Sequence, residues 1–176
     1  MPHVVVTAVG LDRPGIVAAV TGVLVHHGAN LEDTAMTRLG GHFAMVLVVE
    51  VPGDEDAAAL EAALAAETEG LTVTVRPIDD VDDVGTRGDG WAVTVHGADR
   101  PGIVHRVTSL LSGHRANIVD LSTRRLTTDA GAGYVVLLEV ELPDDADVVR
   151  LGADLDALAA DLGVDIHLRP DEADVL

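Results

Sequence analysis

The chain has 176 residues, no cysteine, and 30 acidic against 11 basic side chains, every basic one an arginine, for a net charge of −19. Without cysteine there is neither a disulfide nor a thiolate metal ligand, and a field of that sign repels nucleic-acid phosphates and anionic lipid headgroups. Three aromatics (Phe43, Trp91, Tyr134) cannot build a base-stacking surface, and no apolar run approaches the roughly 20 residues that span a bilayer. Met1-Pro2-His3 opens the chain without the basic n-region of a signal peptide. The expectation is a cytoplasmic protein with no direct nucleic-acid or membrane partner.

In chain order, Val4 to Val9 is β-branched and reads as a strand. Apolar residues at 16, 17, 20, 23 and 24, with His27 on the same stripe, predict a helix over Pro14 to His27, with Asp12 and Pro14 where a cap and first-turn proline belong and Gly28 at its stop. Leu31 to Leu39 and Phe43 to Val51 form a hairpin through Gly40-Gly41. Asp54 to Ala66 opens with acids and continues as Ala/Leu, a second helix, and Leu71 to Val75 is a closing strand. The same order returns as Trp91–His96, Pro101–His114, Asn117–Leu126, Tyr134–Leu142, Asp145–Leu162 and Asp165–Leu168.

The recurrence is a duplication. Residues 6–30 and 93–117 are identical at 15 of 25 positions without a gap, and Arg38 matches Arg125 at the same offset of 87. Past that point the offset grows to 91, which places four extra residues in a longer hairpin tip between Thr127 and Gly133. The boundaries read as a first domain over 1–78, an acidic linker over 79–90, a second domain over 91–170 and a tail over 171–176. Each copy has the order β-α-β-β-α-β, a split βαβ arrangement with both helices on one face of an antiparallel sheet. Val46 to Val49 and Val135 to Leu138 are apolar at every position, where a half-solvated strand alternates. The face away from the helices is therefore expected to be covered, by the other copy or by another chain.

The shared turn Gly-x-Asp-Arg-Pro-Gly-Ile lies between first strand and first helix. Gly10 and Gly15 have the spacing of a phosphate loop, but Ile16-Val17 stand where Lys-Ser/Thr is required, so the turn is not a nucleotide loop. A helix start offers backbone N–H groups to a carboxylate. Asp12 either receives an ammonium group or caps the helix, and the Asn30 and Asn117 amides suit a zwitterion or serve as turn residues. His27 and His114 fit a helix end or core better than a ligand set, and His26 and His42 lack counterparts. Asp12 and His27 stand about 20 Å apart along one helix, too far for joint acid–base work. No catalytic, cofactor or metal motif appears.

Gly-x-Asp-Arg-Pro-Gly-Ile, a helix and then Ala-Asn-Leu/Ile resemble the ACT domain, the amino-acid-sensing regulatory module, over residues 3–77 and 91–169. The doubled arrangement resembles the glycine cleavage system transcriptional repressor family of tandem ACT proteins. The resemblance implies α+β, ferredoxin-like (βαββαβ) domains that pair within the chain or in a homodimer. It implies an amino acid held where the first loop of one domain meets the second strand of its partner, and signalling through a further protein. Carried over by motif, the site residues are Asp12, Arg13, Pro14, Gly15, Ile16, Asn30 and Leu31, with Asp99, Arg100, Pro101, Gly102, Ile103, Asn117 and Ile118 in the second copy. A ligand-free interaction module is the other reading, and catalysis is not expected.

Overall fold

Alternating burial marks the first strand in the computed structural model, which describes residues 2–53, 56–78, 89–128 and 131–171, the backbone alone at 127, 128, 131 and 132. Of the linker read over 79–90, residues 79–88 lie outside the described residues and Asp89 and Gly90 begin β5; of the tail read over 171–176, residues 172–176 lie outside them. The chain divides into two units, Met1–Asp83 and Val84–Leu176. In the first, β1 (His3–Leu11) buries Val4, Val6 and Ala8 and leaves the intervening side chains on the opposite face. It is followed by α1 (Ile16–His26), β2 (Asn30–Leu39), β3 (His42–Glu50), α2 (Ala57–Glu67) and β4 (Leu71–Ile78). The second unit repeats this with β5 (Asp89–Gly97), α3 (Ile103–Gly113), β6 (Asn117–Thr128), β7 (Gly131–Leu142), α4 (Val148–Leu162) and β8 (Asp165–Pro170).

The sheets have the orders β2-β3-β1-β4 and β6-β7-β5-β8, with antiparallel neighbours throughout. This is the ferredoxin-like arrangement expected of the element order. Helices seal one face. Val20 and Leu24 of α1 and Leu60 and Leu64 of α2 close over Val6, Leu47 and Val49, and Val107, Leu151 and Leu155 close over Val93 and Leu138. The reverse face is not buried in the same way: Val46 is 47% and Leu137 40% exposed, so the all-apolar runs alternate in burial after all.

Helix starts differ from the sequence reading. Asp12 does not cap α1, and Pro14 precedes the helix. The N-cap is Gly15 at φ 91°, with no side-chain cap, and Gly102 does the same at 94° before α3. Only glycine adopts that backbone without strain. The second helices start three residues later than expected, at Ala57 and Val148, because Asp56 and Asp147 accept hydrogen bonds from the Ala58 and Arg150 amides. Asp54 and Glu55 lie outside the described residues. The Gly40-Gly41 hairpin forms as read, with both φ angles positive. In the second copy the ladder continues through Thr127↔Ala132 and Thr128↔Gly131, so the extra residues extend both strands and not the turn alone.

Both first helices end in a Schellman turn: the Ala29 amide donates to Leu24 and Gly28 to Val25, and the Ala116 amide to Leu111 and Arg115 to Ser112. Arg115 occupies the left-handed position at φ 59° that Gly28 holds in the first copy. Its guanidinium donates to Asp145 Oδ1 at 2.8 Å, and that contact holds the Asp145 carboxyl below the usual carboxylate range.

Gly10 and Gly97 close off the central strands. A β-carbon on Gly10 would stand 2.5 Å from Leu71 Cδ2 and 2.6 Å from the Gly70 carbonyl, and one on Gly97 2.5 Å from Val164 Cγ1. Gly10→Ala is therefore expected to destabilise by about 1–3 kcal/mol, whereas Gly22→Ala, with open space at mid-helix, stabilises by about 0.5–1 kcal/mol. Urea midpoints check both. Arg115→Gly should return the Asp145 carboxyl to its ordinary pKa in an NMR titration. A depressed folded pKa stabilises above the unfolded value and loses that stabilisation as pH falls through the folded one, so the variant's acid-side loss should shrink.

Candidate functional site

Each Asp-Arg-Pro-Gly turn sits at the end of a central strand, where β1 and β5 give way to the first helix. Asp12 Oδ2 faces Arg38 Nη1 at 3.3 Å and Asp99 Oδ2 faces Arg125 Nη2 at 2.8 Å, the same pair in both copies. Sequence reasoning did not assign these arginines a role. Their match at the repeat offset was the available signal, but nothing in the sequence brings residue 38 to residue 12. The register does: β2 runs antiparallel to β3, and Arg38 opposite Phe43 lies one pair from Leu11 opposite His42.

Arg13 and Arg100 reach the other way. Arg13 Nη2 donates to the Glu69 carbonyl at 3.3 Å, beyond the end of α2, and Arg100 Nη1 to the Leu162 carbonyl at 3.2 Å, the last residue of α4. A guanidinium at these carbonyls meets the negative end of the helix. Pro14, Gly15, Pro101 and Gly102 are exposed, while Ile16 and Ile103 are each 2% exposed and belong to the core. The isoleucines therefore offer a ligand their backbone and not their side chains. A concavity of 370 Å³ opens beside the first turn, lined by Asp12, Arg13, Gly15, Val17 and the β2 residues Met36 and Arg38.

The asparagines are elsewhere. Asn30 pairs with Glu50 at one end of the β2–β3 ladder and Leu39 with His42 at the other, which separates Asn30 and Leu31 from the turn level by about 27 Å. Asn117 likewise pairs with Glu141, its Nδ2 donating to Oε2 at 3.4 Å, and Ile118 packs against the second core. One unit thus holds the two groups of predicted site residues at opposite ends of its sheet.

His27 and His114 are the C-caps of α1 and α3, consistent with a helix-end role, and His114 Nε2 lies 2.8 Å from Asp154 Oδ2. A larger concavity of 730 Å³ runs between α3 and α4, but its charges answer one another through Arg106–Asp161 at 2.6 Å and Arg115–Asp145. Among the described residues no three ligating side chains gather as a metal site, and no helix is long and apolar enough to cross a membrane.

Comparison with known proteins matches the ACT domain model to residues 2–76 and again to 92–169. The glycine cleavage system transcriptional repressor of Escherichia coli is 30% identical over 170 residues, 91% of this chain and 85% of that protein. A UPF0237 protein of Methanopyrus kandleri is 51% identical over 51 residues, 29% of this chain and 57% of the relative's length. A crystal structure of a protein of unknown function from Galdieria sulphuraria superimposes with a TM-score of 0.83 at 30% identity, covering 96% of this chain and 98% of that one.

The exposed pair Asp12–Arg38 should couple weakly. A double-mutant cycle of Asp12→Ala with Arg38→Ala is expected to give about 0.2–1 kcal/mol, read from urea midpoints and falling as salt is raised.

Proposed function

The chain belongs to the ACT-domain family as a regulatory protein related to the glycine cleavage repressor, and from that premise we propose that it is a non-enzymatic amino-acid sensor acting through a protein partner. The observation that carries the reading is the separation of the two conserved-in-repeat halves. The turn, with its uncapped helix start, lies at one end of each sheet and the asparagine at the other. A ligand touching both therefore needs a turn from one ACT domain and a strand end from another. At such a junction the first-turn amides of α1 or α3 receive the carboxylate. The asparagine amide supplies an acceptor for the ammonium group. Ligand binding then favours the paired state by its differential affinity for it, which is what a sensor requires.

A second reading has its own observation. Asp12 and Arg13, and Asp99 and Arg100, already have partners inside their own units. On that reading the turns are structural and the protein is a ligand-free interaction module.

A thermal-unfolding panel over the amino acids separates the two, with glycine first because of the E. coli relative's name. Binding at about 100 times Kd adds about 2.7 kcal/mol, and Asn30→Ala combined with Asn117→Ala should abolish the shift while leaving the ligand-free melting temperature nearly unchanged. Indifference to every amino acid would leave the interaction module as the function.

A further inference from the structure

The two sheets present very different faces on the side away from their helices. In unit 1 the three middle rows of the central strands contribute Val5, Thr7 and Val9 from β1 and Ala44, Val46 and Val48 from β3, with no charge among them, while the end row adds His3 and Glu50, with Glu32 3.2 Å from His3. Val9 and Val46 are 49% and 47% exposed. The Thr7 and Thr74 hydroxyls bond each other at 2.6 Å, which satisfies one of their two O–H donors within the sheet. In these rows the charges stand on the outer strands, Asp33 on β2 and Arg76 on β4, both in the row of Val48 and Val5. The equivalent rows of unit 2 carry Asp120, Arg124, Glu139, Asp165 and Arg169. Duplicated sheets of one fold thus differ in whether that face tolerates desolvation.

We infer that the open sheet face of unit 1 is the contact between two copies of this chain. Three features select that occupant. A chain of net charge −19 repels its own copy least where the contact carries no charge, as in the middle rows of these central strands. A two-fold axis parallel to the strands lays β2 of one copy over β4 of the other, which brings Asp33 toward Arg76 of the second copy, and the reverse pair with it. The Arg76 guanidinium is 71% exposed; its Nη1 donates to the Val75 carbonyl at 3.1 Å and to Glu61 Oε2 at 3.5 Å, which leaves its other nitrogens for a carboxylate of a second copy. The area suits a weak association. The three rows, about 20 Å along four strands about 4.8 Å apart, give roughly 380 Å² per copy, or about 770 Å² in all, in the range of weak or transient contacts. A charged sheet face like that of unit 2 is a poor partner, because its carboxylates and guanidinium groups would lose water without gaining opposite charges. The contact forms whether or not an amino acid binds, so its failure leaves the sensor reading to be judged by the melting panel alone.

Sedimentation velocity on the full chain, without amino acids, tests it. The expected result is a dimer with a Kd of about 10 µM or tighter. Val46→Glu, at a side chain already half exposed, should weaken it at least about tenfold, a change of 1.4 kcal/mol, with the circular dichroism melt retained. Leu137→Glu, the equivalent change in unit 2, should leave the dimer intact. Asp33→Arg should weaken the dimer, and adding Arg76→Asp should restore it. Because the chain has no cysteine, Val46→Cys supplies a single thiol beside the two-fold axis, and a short bismaleimide should join two such copies. That variant decides the matter if Val46→Glu fails to fold. A monomeric wild type, a Val46→Glu dimer of unchanged affinity, or Leu137→Cys cross-linking as readily as Val46→Cys would each overturn the inference.

Discussion

The upper end of each sheet is organised by a close approach that requires a missing β-carbon. Gly10 lets the Gly70 carbonyl and Leu71 lie directly against the end of β1, and Gly97 makes room for the Val164 side chain at the end of β5. With the second helix and last strand drawn in this far, the carbonyls at Glu69 and Leu162 come within reach of Arg13 and Arg100. The turn is thereby fastened to the last connection of its unit. A left-handed glycine then starts the helix, and the neighbouring aspartate is fastened to the second strand by an arginine. One steric condition therefore accompanies two side-chain contacts in each copy.

That arrangement bears on what the turn offers a ligand. Its two charged side chains are directed sideways, to β2 or β6 and to the end of the second helix, while its backbone faces outward at an uncapped helix start. Carboxylate recognition through the backbone is compatible with this state, whereas an ammonium group at Asp12 has to compete with Arg38. The ion pair is exposed and weak, so the competition is close. An asparagine supplied by another domain avoids it.

The copies have diverged mainly on surfaces, and in opposite directions. Helix α1 carries no Asp, Glu or Arg, and its groove against α2 is lined mostly by small residues, Ala18, Ala19, Gly22, Ala63 and Ala66, with His26, His27 and Glu67 at its end. The corresponding groove in unit 2 is bridged by Arg–Asp pairs. Even the helix ends differ, with Arg115 holding a backbone conformation that glycine holds in the first copy and compensating through its contact with Asp145. The cores have remained alike under the same fold constraint. The surfaces have been free to specialise, the first unit toward apolar contact and the second toward solvent.

By itself the sequence determined the duplication, the element order and hence the ferredoxin-like fold, because hydrophobic period and glycine placement act over a few residues. It also located the turn, the Gly40-Gly41 hairpin and the extension after Leu126. It did not determine where the helices begin. Asp12 has the right spacing for a cap, but its carboxylate is drawn to Arg38, 26 residues away, and the left-handed Gly15 takes the capping position without a side chain. Nor did it separate Asn30 from the turn, since both flank the same helix and only strand register shows them at opposite ends of the sheet. The apolar runs at Val46 and Val135 looked alike in sequence. Only the sheet shows that the middle rows of one face keep their charges on the edge strands, while those of the other carry Glu139 on β7 and further ionised groups on β6 and β8.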